Sequence, residues 1–281
     1  MRIIHERTGL PAVSIGAWRA AIAAVFVAMV LRRSGLGRAV QALRRRPWRL
    51  LLCGVGFGAY QALYFVGVED VGVSVSTLVS LGIAPIALTI GVAVQRRAFP
   101  APTSLLVLIC AVIGLALISV GSPGASSSAP HPLYGVLASI GSGLGYAGIT
   151  ALSRGLSDVE PLIVTGVTSA IGAVGLLPLA LAAGMAWPAD GISSWWLVYI
   201  GIVPTVAAYW LFYSGLRTTS SEVAGVLTLL EPLTATLLAA VTVHETLRAA
   251  GIVGASLMLV AIAGLYLRGA EPDVVEAPPP P

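Results

Sequence analysis

Residues 72–94, GVSVSTLVSLGIAPIALTIGVAV, run the length of a lipid bilayer without one charged side chain. About 20 apolar residues in a helix cover the hydrocarbon core, and in lipid every backbone polar group has to be satisfied within the segment. Runs of this kind recur at 12–31, 50–68, 72–94, 103–121, 132–152, 161–183, 194–216, 220–243 and 249–267. Strands of alternating hydrophobicity, the mark of a membrane barrel, are absent. The expected fold is therefore all-α, a polytopic bundle of about nine transmembrane helices. Composition agrees: 10% of the residues are charged, against about a quarter in soluble domains.

All basic residues are arginines, and their placement sets an orientation. The loop RRSGLGRAVQALRRRPWR after the first span holds seven. Counting sides alternately, Arg96, Arg97, Arg154, Arg217 and Arg268 fall with it. Arg2, Arg7 and Arg248 fall opposite, together with Glu69, Asp70 and Asp190. The richer side is expected to be cytoplasmic, with the C-terminus inside, in a multi-pass protein of the plasma membrane. The N-terminus then lies outside, so the chain has either nine true spans or a first helix missing from this reading of its gene. The net charge of +4 resides in these loops and implies no nucleic-acid partner. The expected partners are the lipid bilayer and a small-molecule substrate.

Cys53 and Cys110 sit singly in apolar runs and read as packing residues. His5, His131 and His244 lie at or beyond span ends, far apart, so no metal site and no cofactor is expected. Glu69 and Asp70 at a span end read as solvated surface. The pairs Gly54 with Gly58 and Gly141 with Gly145 read as close helix contacts.

Residues 54–121 can be laid over 201–267 with small gaps, as transporter halves often can. Tyr60 then meets Tyr209, Tyr64 meets Tyr213, Gly67 meets Gly215, Ser74 meets Ser221 and Pro85 meets Pro232. The expected organisation is a first repeat at 1–121 with four spans, an external linker at 122–131, and a second repeat at 132–268 with five spans. A disordered cytoplasmic tail, 269–281, follows. A further first helix would make the halves five and five, an odd number that inverts the second relative to the first.

The segments IGAWRAAIAAV, LYFVGVEDVGVSVSTLVSLGIAPIALTI, WLFYSGLRTTSSEVAGVLTLLEPLTATLLAAVTVHETL and GIVGASLMLVAIAGLYL resemble, in that order, the EamA-type transporters of the drug/metabolite transporter superfamily. The resemblance covers nearly the whole chain and rests on order rather than on one sharp motif. It implies a ten-helix pattern, here without its first helix, with a central cavity between halves and export of metabolites, amino acids among them.

Several intramembrane residues carry the chemistry such a protein needs. Pro85, Pro204 and Pro232 each remove a helical hydrogen bond, freeing the carbonyls of Leu81, Ile200 and Thr228; each is either a fixed kink or a hinge. Tyr60 and Tyr64, like Tyr209 and Tyr213, are four apart and share a helix face; with Tyr146 and Trp210 they are candidates to line a substrate cavity. Arg19 lies about a third of the way into the first span, where a centred charge costs roughly 2.5 kcal/mol or more. It either snorkels to the surface or, as the resemblance implies, turns to a substrate carboxylate or partner acid. Glu231 sits beside Pro232 near the midplane of its span. It is either a neutral acid bonded to a freed carbonyl or a proton-coupling site, for which the first half has only Ala84.

These features favour a secondary transporter working by alternating access and lacking an ATP-binding loop. The alternatives are an intramembrane enzyme, for which the GSG serine at 142 has no histidine at its depth, and a channel or a non-transporting membrane scaffold.

Overall fold

The computed structural model describes residues 8–32, 35–121, 131–242 and 249–269. All regular structure in them is helical: α1 Ala12–Leu31, α2 Leu36–Arg45, α3 Pro47–Arg96, α4 Pro102–Gly121, α5 Pro132–Ser153, α6 Pro161–Ala182, α7 Gly191–Gly201, a π-helical turn Ile202–Ala207, α8 Ala208–Gly215, α9 Ser221–Leu227, α10 Leu230–Thr242 and α11 Ala249–Gly269. His5, His244, the linker up to residue 130 and the tail from residue 270 lie outside the described residues.

Starts and breaks follow local chemistry. Pro132 and Pro161 open α5 and α6, where a missing N–H costs nothing. The Asp190 carboxylate accepts from the Ser193 N–H at 2.7 Å and caps α7. Helix α3 turns at Gly72, whose φ of 82° and ψ of 162° form a conformation open essentially to glycine alone. Seven helices are long and apolar enough to cross a membrane. The break at Gly72 makes one of them two crossings, and Ala249–Gly264 adds a shorter one. Among the described residues this gives nine crossings, the number that the sequence implies.

Their packing is that of a membrane protein. Val25, Met29, Leu106, Val174, Leu181 and Val260 are largely exposed on their helices, apolar surface that only acyl chains would cover. The interior holds small and hydroxylated residues instead, among them Ser14, Ser139, Ser142, Thr165, Thr168 and Ser169, all buried. Hydroxyls of this type repeatedly return a hydrogen bond to a carbonyl one turn back, as Thr165 does to Pro161 at 2.9 Å.

The chain resolves into two compact units, Met1–Val92 with Gly124–Gly225, and Ala93–Pro123 with Val226–Pro281. In the first, Gly54 and Gly58 bring α3 against Ile171 and Gly172 of α6, so these glycines are close helix contacts. Ala17 of α1 packs on Leu176 and Ala180, and the Ser14 hydroxyl donates to the Ala180 carbonyl at 3.4 Å. Cys53 is buried with its Sγ 3.6 Å from the Ser153 hydroxyl. In the second unit α4 crosses α11 at facing glycines. A Cβ on Gly114 would stand 2.7 Å from the Gly254 carbonyl oxygen, and one on Gly254 would stand 2.9 Å from the Ile118 nitrogen.

The three prolines act differently. Pro204 lies in the π-helical turn, and the Thr205 hydroxyl donates to the freed Ile200 carbonyl at 2.7 Å. Next to Pro232 the helix is interrupted between Leu227 and Leu230, and the Thr228 carbonyl accepts from the Glu231 N–H at 3.1 Å. Pro85 stays inside its helix, where its Cα would lie 3.3 Å from a Cβ on Gly225. Beyond the prolines the halves share a feature that the overlay does not use. The Thr89 hydroxyl donates to the Pro85 carbonyl and the Thr236 hydroxyl to the Pro232 carbonyl, each at 2.8 Å.

Candidate functional site

Within the first unit, α1, α3, α5 and α8 bring one set of polar side chains together. Gly145 on α5 would place a Cβ 3.0 Å from the Tyr60 Cβ; its bareness is what lets α5 lie this close. Tyr60 then stacks edge-on against Tyr146, with ring centroids 5.7 Å apart, and against Phe57 at 5.8 Å. Phe57 also meets Tyr209 at 5.1 Å. Phe212 lies 6.0 Å from Tyr146 and 5.7 Å from Tyr213. Edge-to-face rings at these separations attract one another and fix each other's orientation. The Tyr60 and Tyr209 hydroxyls hydrogen-bond directly, so the two tyrosines that the overlay equates meet at their polar ends.

One turn of α1 reaches the same place. The Arg19 guanidinium turns to a neighbouring helix. Its Nη2 donates to the Oε1 of Gln61, the residue next to Tyr60. Gln61 is only 3% exposed. The Nε of Arg19 and the Nε2 of Gln61 are buried and find no acceptor among the described residues. The ion pairs of the described residues, Arg38 with Glu160 and Arg46 with Asp158, do not involve Arg19. A partly buried cation thus has a neutral partner, and two N–H donors stand idle beside it. Leaving such donors unmet costs about 1–3 kcal/mol each, more for a charged group. The arrangement is suited to a ligand carrying acceptor oxygens, above all a carboxylate, which takes two parallel N–H bonds from a guanidinium.

The expected cavity residues do not all lie here. Tyr60, Tyr146, Tyr209, Tyr213 and Arg19 come together. Tyr64 is held elsewhere, its hydroxyl 2.8 Å from that of Thr77 across the Gly72 turn. Trp210 is exposed; the residue after Tyr209 points a quarter turn or more away from it. Glu231 is exposed in the first turn of α10, where the helix dipole favours a negative charge. Gln61, Phe57 and Phe212 are the members that sequence reasoning misses. A glutamine inside an apolar span was the available signal, since a buried amide needs partners as a buried charge does.

Apolar helices of this length, with apolar side chains exposed along their flanks, define a multi-pass membrane protein. The EamA-like transporter family matches residues 133–267. An uncharacterized transporter of Bacillus subtilis, YwfM, is 32% identical over 80% of this chain and 74% of its own length. A second from the same organism, YxxF, is 26% identical over 83% of this chain and 74% of its own. A solved crystal structure superposes with a TM-score of 0.78 at 23% identity, covering 95% of this chain and 91% of that one, which shows the shared fold. The chain belongs to the EamA-like transporter family.

Proposed function

We propose that this chain is a secondary transporter of the plasma membrane that exports small metabolites, amino acids among them, by alternating access. The observation that carries the reading is the partly buried Arg19–Gln61 pair with its idle donors, set beside the hydrogen-bonded Tyr60–Tyr209 pair. A substrate carboxylate would accept from Arg19 and Gln61, and the aromatic rings would hold its apolar part. Tyr60 comes from the first repeat and Tyr209 from the second. A link between repeats that forms and breaks is what exposure to alternate sides requires, with Pro85, the Pro204 turn and the break before Pro232 as hinges. The matching proline and threonine bonds of the two halves support the inverted repeat.

Counterflow in proteoliposomes tests this: saturable exchange of labelled carboxylate-bearing metabolites, amino acids first, absent in empty vesicles. A protein that moves none of them across a broad screen is a scaffold. Coupling is assigned to Glu231, a carboxylate exposed at a helix start. Glu231→Gln is expected to lose gradient-driven accumulation while keeping exchange; unchanged accumulation and pH dependence would remove Glu231 from the mechanism. The orientation places the C-terminus in the cytoplasm and residue 126 outside. With Cys53 and Cys110 replaced, an impermeant thiol reagent should label Ser126→Cys in intact cells.

A further inference from the structure

Helix α2 lies between the end of one crossing, Leu31, and the start of the next, Pro47, and it has three distinct edges. At about 100° per residue, Gly35, Ala39, Ala42 and Arg46 fall on one. Gly35 and Ala42 are buried; Ala42 belongs to the main core cluster, Ala39 packs against it, and Arg46 binds Asp158. This edge is turned to the protein. About a quarter turn away, Leu36, Val40 and Leu43 form an apolar stripe that stays uncovered among the described residues, at 55%, 47% and 40% exposure. Trp48, two residues into α3, is 73% exposed. On the remaining arc stand Arg44, Gln41 and Arg45, all exposed.

A helix tethered at both ends to crossings has the bilayer surface as its neighbour. A stripe of leucine and valine beside arginines is how a helix lies in that surface, its apolar edge among the acyl chains and its cations at the headgroups. Trp48 sits where indole rings are enriched, at the boundary of the two. We infer that α2 is an interfacial helix that binds anionic phospholipid through Arg44 and Arg45, with Leu36, Val40 and Leu43 inserted below the headgroups. Arg44 and Arg45 also complement the helix dipole in its last turn, but a dipole partner does not require the bare apolar stripe beside it.

The test uses the full chain in nanodiscs of phosphatidylcholine with phosphatidylglycerol. Nitroxides are placed at Val40→Cys and, separately, Gln41→Cys in a Cys53→Ala, Cys110→Ala background. The label at position 40 is expected to favour dissolved oxygen over a water-soluble nickel relaxant, and the label at 41 the reverse. Equal nickel access at both positions overturns the proposal and leaves the stripe to a protein partner or a second copy. Native mass spectrometry supplies the second reading. Phosphatidylglycerol retained over phosphatidylcholine should fall about fivefold for each arginine removed in Arg44→Gln, Arg45→Gln, and remain unchanged in Arg96→Gln, Arg97→Gln. Enrichment that survives the first pair also overturns it.

Discussion

The first unit holds arginines in two opposite settings. Around the connection 154–160, four of them are spent on acceptors: Arg38 on Glu160 at 2.6 Å, Arg46 on Asp158 at 3.2 Å, Arg49 on the Gly155 carbonyl at 2.7 Å and Arg217 on the Ser157 carbonyl at 2.9 Å. These bonds are exposed, so water competes for every one. Arg19 is half-buried, donates to the neutral Gln61, and keeps an idle Nε. The cheaper charges are satisfied and the expensive one is left open. Structural economy would arrange the reverse, which supports the proposal that the open one serves a substrate while the others tie loops together.

That contrast sets the size of what each arginine should do. Arg19→Gln is expected to lower exchange in proteoliposomes the most. Removing one partner of a desolvated charge pair costs 2–5 kcal/mol, roughly 30-fold to several thousandfold in apparent affinity. Arg19→Lys keeps the charge without the planar fork and should recover only part of the loss. Full transport in Arg19→Gln, with the protein folded, would break the comparison at its centre.

Gln61 gives the next effect. Gln61→Leu conserves much of the volume but removes the acceptor of Arg19 and one idle donor. A loss of at least about tenfold in apparent affinity is expected, in line with about 1.5–3 kcal/mol for a hydrogen bond to a charged group. A loss confined to substrates that carry a carboxylate would sharpen the assignment. An equal loss on neutral substrates would reduce Gln61 to packing.

Tyr60→Phe and Tyr209→Phe keep the ring stack and remove only the hydroxyl link. Each should change exchange by about fivefold, the worth of roughly 1 kcal/mol. Because one bond joins the two, the double variant should be no worse than either single. Additive losses would mean that each hydroxyl has a separate partner in the transport cycle. Unchanged transport in a Tyr60→Leu, Tyr209→Leu variant would remove both from the site.

How much of this the sequence reveals depends on the kind of signal. The crossings are legible because lipid imposes length and apolarity on every one of them. The Pro204 distortion is legible too, since a missing N–H has to free the Ile200 carbonyl. The neighbourhood of Arg19 is not. Its partner lies 42 residues away on another helix, and only the crossing of α1, α3 and α6 on small residues brings Gln61 to it. Trp210 shows the limit of spacing arguments. It is adjacent to Tyr209 in sequence, yet helical geometry sends the two side chains to different surroundings.

The smallest effect belongs to the exposed arginines, and it is the sharpest check on the contrast. Arg46 and Asp158 are each about half-exposed as side chains, and exposed pairs contribute about 0.2–1 kcal/mol. Asp158→Asn should therefore lower the thermal midpoint by no more than about 2–4 °C for a chain of this size, and exchange by less than twofold. Salt should erase much of that difference, because at about 0.15 M the screening length is near 8 Å and falls further at higher concentration. The reversed pair, Arg46→Asp with Asp158→Arg, should return the midpoint towards the original value, which a role in topology alone would not do. If Asp158→Asn instead abolished exchange while leaving the midpoint untouched, the loop arginines would be part of the transport cycle, and burial would no longer separate the two groups.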